Sequence, residues 1–331
     1  MSSATAVAAR EADGAGLSGR RAAVASLMAL GLALANAVTA RAEWRRTDTS
    51  IAWEQDGAVA WRFHFDPAKG KPFFQPIAVG GTDLTMFQPE DHPWHYALWF
   101  SWKYINGANY WEESRETGRA EGQTRWGNPR TETRPDGGAT ILLDLEYAHP
   151  SGRIDLKERR RLEISRPDGA GGFTLDWSAE FTAGPEGAVL DRTPMPGEPD
   201  GRVNGGYAGL SVRLAPPPLA MKMVTSGGPV DQFTQNRARP SAPAAAANFY
   251  RDGSPVGGVA FLSATANGGE RAPWYLIDNG VMRFMCAAIL APAVKKLGPG
   301  EGWTLRYRVA VHGGEWTPEA LRDAVAKWDS R

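Results

Sequence analysis

The chain has a single cysteine, Cys286, among 331 residues. An intramolecular disulfide is therefore excluded, and stability must come from an apolar core, which a chain of this length can build unaided. Charge of one sign is also lacking: 37 Lys and Arg balance 37 Asp and Glu. That balance gives no clustered basic face for nucleic acid, and none is expected as a partner. The one basic run, Lys157-Glu158-Arg159-Arg160-Arg161, falls in an alternating segment and reads as a solvated strand face. No internal repeat, heptad or Gly-rich phosphate loop is found. Cys286 itself sits in an apolar run, residues 281–290, with no histidine nearby in sequence, so it reads as a buried, inert thiol.

Long apolar runs are missing except at residues 22–38, an Ala-rich stretch preceded by Arg20-Arg21 and closed by Ala40-Arg41-Ala42. This three-part layout reads as a secretory signal over residues 1–42, cut before Glu43. The rival reading is an uncleaved anchor, but the stretch is short and weakly apolar for a bilayer core. The paired arginines suit the twin-arginine route, although Ser18-Gly19-Arg20-Arg21-Ala22-Ala23-Val24 matches its motif only loosely. The leader holds Arg10, Arg20, Arg21 and Arg41 against Glu11 and Asp13, a surplus of two positive charges, so the remainder is formally −2. The expected mature chain, residues 43–331, is periplasmic or secreted and has no membrane contact once the leader is removed.

What is present in quantity is Trp (13), Gly (38) and Pro (24). Gly and Pro punctuate short strands. Trp fills sheet cores or offers flat faces for sugar rings. Strict alternation of apolar and polar residues predicts half-buried strands at 139–147, 173–182 and 303–312. Further strands are expected at 58–65, 97–103, 155–164, 206–214, 258–263 and 274–277. Residues 193–202 and 240–247, rich in Pro, Gly or Ala, read as long surface loops. One helix is expected, at about 317–329, with Thr317 as cap, Pro318 in the first turn, and Leu321, Val325 and Trp328 on one face. The sum is an all-β fold: a large two-sheet antiparallel β-sandwich in one domain, ending in a helix.

The densest functional cluster runs from Gln88 to Glu113. It holds two of the five histidines, His92 and His95, preceded by Asp91 and followed by Asn106, Asn109, Glu112 and Glu113. Histidine beside carboxylate is suited to proton transfer near neutral pH. Three readings stand open: acid/base groups acting on a sugar, with Glu112 or Glu146 as carboxylate; metal ligands completed by Asp91 or Glu112; or side chains tying a loop to the backbone. A His-x-x-His pair alone does not make a metal site, so no metal and no cofactor are assigned. Trp94, Trp99, Trp102 and Trp111 are stacking candidates. The strip 202–213 adds Tyr207 and Arg213 as binders of hydroxyls or a carboxylate; otherwise it is a bulged strand with an exposed Arg. His312 closes the last predicted strand and could reach a site at that sheet end, whereas His64 and His149 read as strand-end or turn residues.

Asp91-His92-Pro93-x-His95, Leu98-Trp99-Phe100 and Ile105-Asn106-Gly107-x-Asn109-Tyr110-Trp111 together resemble a bacterial family called PmoA-type, or "methane oxygenase". Gly205-Gly206-Tyr207-x-Gly209-Leu210-Ser211 and the ending 305–314 fit the same layout, so the resemblance spans nearly the whole mature chain. Tyr96 stands where that family more usually has Arg. The label does not describe chemistry, since a membrane methane monooxygenase subunit needs several spanning helices. The family is looser in its likeness to galactose-mutarotase-like supersandwiches and is associated with carbohydrate breakdown. The resemblance thus implies a carbohydrate-processing enzyme of lyase, hydrolase or epimerase type acting on a small molecule or oligosaccharide. The alternatives are a non-catalytic sugar-binding module and a metal-dependent enzyme.

Overall fold

In the computed structural model, residues 42–329 are described; the expected leader lies outside them except for Ala42. Two ten-stranded antiparallel sheets dominate, each a row of nine strands with a short tenth pairing off the row, Thr82–Asp83 in the first and Gln123–Trp126 in the second. The first runs in the order Ala42–Arg46, Ser50–Gln55, Ala58–His64, Phe73–Val79, Leu98–Ser101, Gly209–Arg213, Arg283–Ala287, Trp274–Asp278, Arg237–Ala238. The second runs Arg130–Thr133, Ala139–Ala148, Ile154–Ile164, Phe173–Ala183, Gly302–His312, Ser254–Ser263, Ala244–Arg251, Ala220–Thr225, Gly228–Val230. A small four-stranded sheet, including Tyr104–Ile105 and Ala188–Asp191, closes one side. The one α-helix among the described residues is Pro318–Asp329, and none is long and apolar enough to cross a membrane.

Period-2 alternation builds the sandwich. Along Phe173–Ala183, Leu175, Trp177, Ala179 and Phe181 face the core, as do Leu305, Tyr307, Val309 and Val311 of the strand paired with it. From the first sheet, Leu98, Phe100, Leu210, Val212, Leu276 and Met285 enter the same core. Phe100 meets Trp177 and Phe181 across the gap, with centroids 6.4 and 5.6 Å apart. Trp102 is packed here too, against Phe181 and Trp303, and so is no ligand platform.

The two outer faces differ. On the second sheet, the helix lays Leu321 and Trp328 over Ala244, Ala246, Ala260 and Ala310. Thr317 caps it, its Oγ1 accepting from the Ala320 N–H at 3.3 Å. The expected loop at 240–247 is thereby corrected in its second half: residues 244–247 open the buried strand Ala244–Arg251, Ala245 and Ala247 facing the core while Ala244 and Ala246 lie beneath the helix. Methyl-sized side chains on both sides let two layers approach one strand closely. The basic run is corrected in the same way. Alternation leaves Lys157, Arg159 and Arg161 outside but turns Glu158 and Arg160 inward, both fully buried. There Arg160 donates to both Glu158 oxygens (2.6 and 2.9 Å), Tyr147 donates to the same carboxylate (2.5 Å), and the guanidinium lies 4.7 Å from the Trp177 ring centroid. On the first sheet, no helix among the described residues covers the outer face. An aromatic layer does.

Candidate functional site

Residues that alternate outward on the first sheet form that layer. Phe73, Trp99, Tyr275, Ile277, Phe284 and Cys286 build it, with Tyr96 and Trp111 from neighbouring loops. Cys286 is sealed within it, and burial pushes its thiol up to about 12, consistent with an inert group. Over this layer, the turn at residues 89–95 folds back on itself: the His92 N–H donates to the Pro89 carbonyl and the His95 N–H to the His92 carbonyl, each at 3.0 Å. The turn brings the two imidazoles face to face, centroids 4.7 Å apart.

His92, Trp94, His95, Trp111, Glu112, Asn204, Tyr207, Arg237, Tyr275 and Phe284 are among the residues that ring a hollow of about 160 Å³. Beneath its rim, Arg213 points outward from the strand Gly209–Arg213, since Leu210 and Val212 point inward. Its Nη2 donates to both Asp91 oxygens at 3.0 and 2.9 Å, so the arginine read as a ligand binder, or else as exposed, is instead buried against a carboxylate of the chain. Asp91 in turn accepts from His92 Nδ1 at 2.9 Å. Partial burial pushes the Asp91 pKa up, but the bonds from His92 and Arg213 outweigh it and hold the group below its ordinary value. An ionised Asp91 fixes the tautomer of His92 with the proton on Nδ1, which leaves Nε2 as acceptor.

His95 is 3% exposed, stacked between His92 and Phe284, and its Nδ1 has no partner. Burial drives its pKa well down, and the charges of His92, Arg213 and Lys71 add to this. It is therefore a neutral ring at physiological pH. Glu112 receives the Lys103 ammonium and the Asn109 amide (2.7 Å) on Oε2, and the Tyr207 hydroxyl (2.8 Å) on Oε1. Burial would raise its pKa, but Lys103 reverses the shift and keeps it ionised. Burial and that carboxylate push the Tyr207 phenol upward, so it stays protonated. Glu112 is thus a fully engaged carboxylate that orients Tyr207, and the carboxylate partner of the imidazole is Asp91.

Several expected residues lie elsewhere. His312 is on the outer face of the second sheet, stacked on Trp316 at 4.4 Å, because even-numbered positions of its strand point away from the core. Asn106 ties its turn to Gly187 and Val189 through its amide. Asn109 supports the site from behind, its Oδ1 accepting from the Trp111 and Glu112 N–H groups. Trp99 is fully buried beneath His95 and offers no open face. Glu146 sits on an exposed strand face beside Lys157. His64 and His149 are the strand-end and turn residues expected, bonded to the Gln75 carbonyl and to Ser151. Among the described residues no three His, Cys, Asp or Glu side chains converge to hold a metal ion. A larger hollow, about 370 Å³, opens beside the buried Lys71–Glu113 pair but has no histidine in its wall. Arg237, Tyr275 and Asn204 were missed by sequence reasoning, since they come from separate segments joined only by the fold.

A family model described as "Family of unknown function (DUF6807)" matches residues 50–326. No curated protein matches the chain. Among solved structures, the fold is similar to an α-galactosidase from Lactobacillus brevis at 10% identity and a TM-score of 0.42, covering 83% of this chain and 40% of that one. The α-galactosidase AgaA from Geobacillus stearothermophilus is similar at 11% identity and a TM-score of 0.44, over 83% of this chain and 41% of that one. A protein described as an aldose 1-epimerase from Klebsiella pneumoniae is similar at 9% identity and a TM-score of 0.42, over 85% and 83%. The chain spans less than half the length of the two galactosidases.

Proposed function

The chain belongs to this family of unknown function, and we propose that it is an exported carbohydrate-processing protein in which His92, oriented by Asp91, moves a proton on a sugar held in the hollow. One observation carries the reading: the Arg213–Asp91–His92 chain of hydrogen bonds ends at a ring stacked on a second, neutral imidazole. A carboxylate anchored by a buried arginine orients one imidazole beside a second ring kept uncharged, so the two rings take different roles. His92 accepts or returns the proton at Nε2. His95 accepts a hydrogen bond from a sugar hydroxyl or relays a proton. Tyr207, whose hydroxyl donates to Glu112, accepts a hydrogen bond from a sugar hydroxyl.

The walls support a sugar as ligand. Trp94, Trp111, Tyr207 and Tyr275 present aromatic surface, and the polar groups reach in between them. Below the ~300–1,000 Å³ of pockets for drug-sized ligands, the hollow suits one ring at a time. The motifs at 91–95 and 105–111 favour the nearer likeness to PmoA-type proteins. Residues 1–42 act in this reading as a cleaved leader that delivers the mature chain to the periplasm or beyond.

The test is turnover of a panel of glycosides, oligosaccharides and free aldoses by the purified protein and by His92→Ala and His95→Ala. General acid/base groups contribute ~10²–10⁴-fold, and a loss of that order is expected for His92→Ala on whichever sugar is processed. Unchanged turnover in both variants sinks the acid/base role. Tight sugar binding without turnover, lost in Trp94→Ala, identifies a binding module instead.

A further inference from the structure

The hollow does not end at Tyr275. On its far side lies a second hollow of about 180 Å³, walled by Gly206, Arg239, Trp274, Tyr275 and Ala288 among others. The two share the Tyr275 ring as a partition and adjoin consecutive residues, Gly206 and Tyr207. Both lie on the outer face of the first sheet, which no helix among the described residues covers.

Arg237, Ala238 and Arg239 run along this partition. Ala238 points into the core, so alternation sends the arginines on either side of it outward together. Arg237 donates from Nε to the Tyr275 hydroxyl (2.9 Å) and from Nη1 to the Gln235 carbonyl (2.6 Å). Arg239 lies 4.7 Å from the Tyr275 ring centroid and donates from Nη2 to the carbonyls of Val203 (2.8 Å) and Gly205 (2.7 Å). Its Nε is buried without a partner.

Every bond made by these two guanidinium groups thus goes to a neutral acceptor. Among the described residues neither has a carboxylate within ion-pair distance, whereas the other cations around the site do: Arg213 with Asp91, Lys103 with Glu112, Arg283 with Asp278. Burial lowers the Arg239 pKa; Tyr275 opposes this, and the charge of Arg237 adds a smaller push in the same direction as burial. Two like charges held side by side by neutral acceptors are an electrostatic cost that an anion would relieve. The planar fork of Arg suits a carboxylate.

We infer that the two hollows are consecutive subsites of one groove, and that the groove takes an acidic oligosaccharide whose carboxylates meet Arg237 and Arg239. This rests on the sugar-processing reading and narrows it: one uronic acid ring sits against His92 and Tyr207, and its neighbour passes Tyr275 into the second hollow. Arg237 sets the choice of an acidic ring in the first subsite, and Arg239 the preference for a second ring.

Calorimetric titration tests this with disaccharides of the four common hexuronates and their carboxyl-reduced counterparts. At least one uronate disaccharide should bind ten-fold or more tightly than its reduced form, and the preference should shrink as salt is raised. Arg237→Gln should abolish the preference, and Arg237→Lys should keep part of it. Arg239→Gln should weaken the disaccharide several-fold while leaving the monouronate unchanged. The ligand-side comparison needs no variant, so a misfolded mutant does not cloud it. Equal or tighter binding of the reduced sugars, with His92-dependent turnover intact, overturns the acidic-ligand inference and leaves the sugar-processing reading standing. Failure of acidic and neutral sugars alike to bind or turn over removes both.

Discussion

Two ionic contacts, one at the rim of the hollow and one inside the sandwich, show what single residues do here. Asp91 spends its oxygens on Arg213 and His92, so Asp91→Asn keeps the shape but no longer enforces the Nδ1–H tautomer. We expect turnover to fall by at least ten-fold with KM little changed, checked by steady-state kinetics on the sugar that the panel identifies; an unchanged kcat would deny Asp91 its orienting role. Arg160 is a purely structural case. Among the described residues it is the sole cation on Glu158, and removing one partner of a buried pair costs about 3–5 kcal/mol. Arg160→Met should show that loss in urea unfolding. The double change Glu158→Leu with Arg160→Met should recover much of it, because no lone charge remains. The sequence displayed Asp91, His92 and His95 as a cluster because they lie within five residues. It hid the Arg213 contact, because that partner is 122 positions away.

At the scale of elements, the helix Pro318–Asp329 and the strand beneath it form a closely spaced pair. Ala246 is 1% exposed below the helix, so Ala246→Leu overpacks the contact and should cost roughly 1–3 kcal/mol, read as a lowered Tm. A milder effect than an equivalent change at exposed Ala68 would refute the close-approach account. His312, at the end of the adjoining strand, is buried with both ring nitrogens away from solvent. Burial depresses its pKa from 6.5 to about 4, against a smaller upward pull from the backbone at Gly313 and Gly314. The folded state therefore holds this ring neutral. Its contribution is complete above pH 6.5 and is lost as pH falls towards 4, by roughly 3 kcal/mol at the lower limit. His312→Gln, neutral at every pH, should flatten acid unfolding over that window. An unaltered pH profile would show that the ring is not held neutral. The strand was legible from its alternation. Which sheet face its histidine occupies was not, since a period of two separates inside from outside but does not say what covers each outer face.

For the whole molecule, the proposed leader and the sandwich make separate demands. The strand Ala42–Arg46 is the edge of the first sheet and pairs with Ser50–Gln55, so a cut before Glu43 leaves most of that strand in place. N-terminal sequencing of the exported protein should find Glu43 first. A mature form starting near Met1 would refute export by cleavage. The sequence by itself determined the all-β class, most strand positions, the terminal helix and the inertness of Cys286, because each follows from local periodicity, capping or burial of a single run. Tertiary structure alone decided that Arg213 underpins Asp91, that Glu112 serves Tyr207, that His312 is remote, and that Arg237 and Arg239 flank Tyr275. Those facts depend on which strands become neighbours, and strand pairing between distant segments is set by the packing of the whole core rather than by any local pattern.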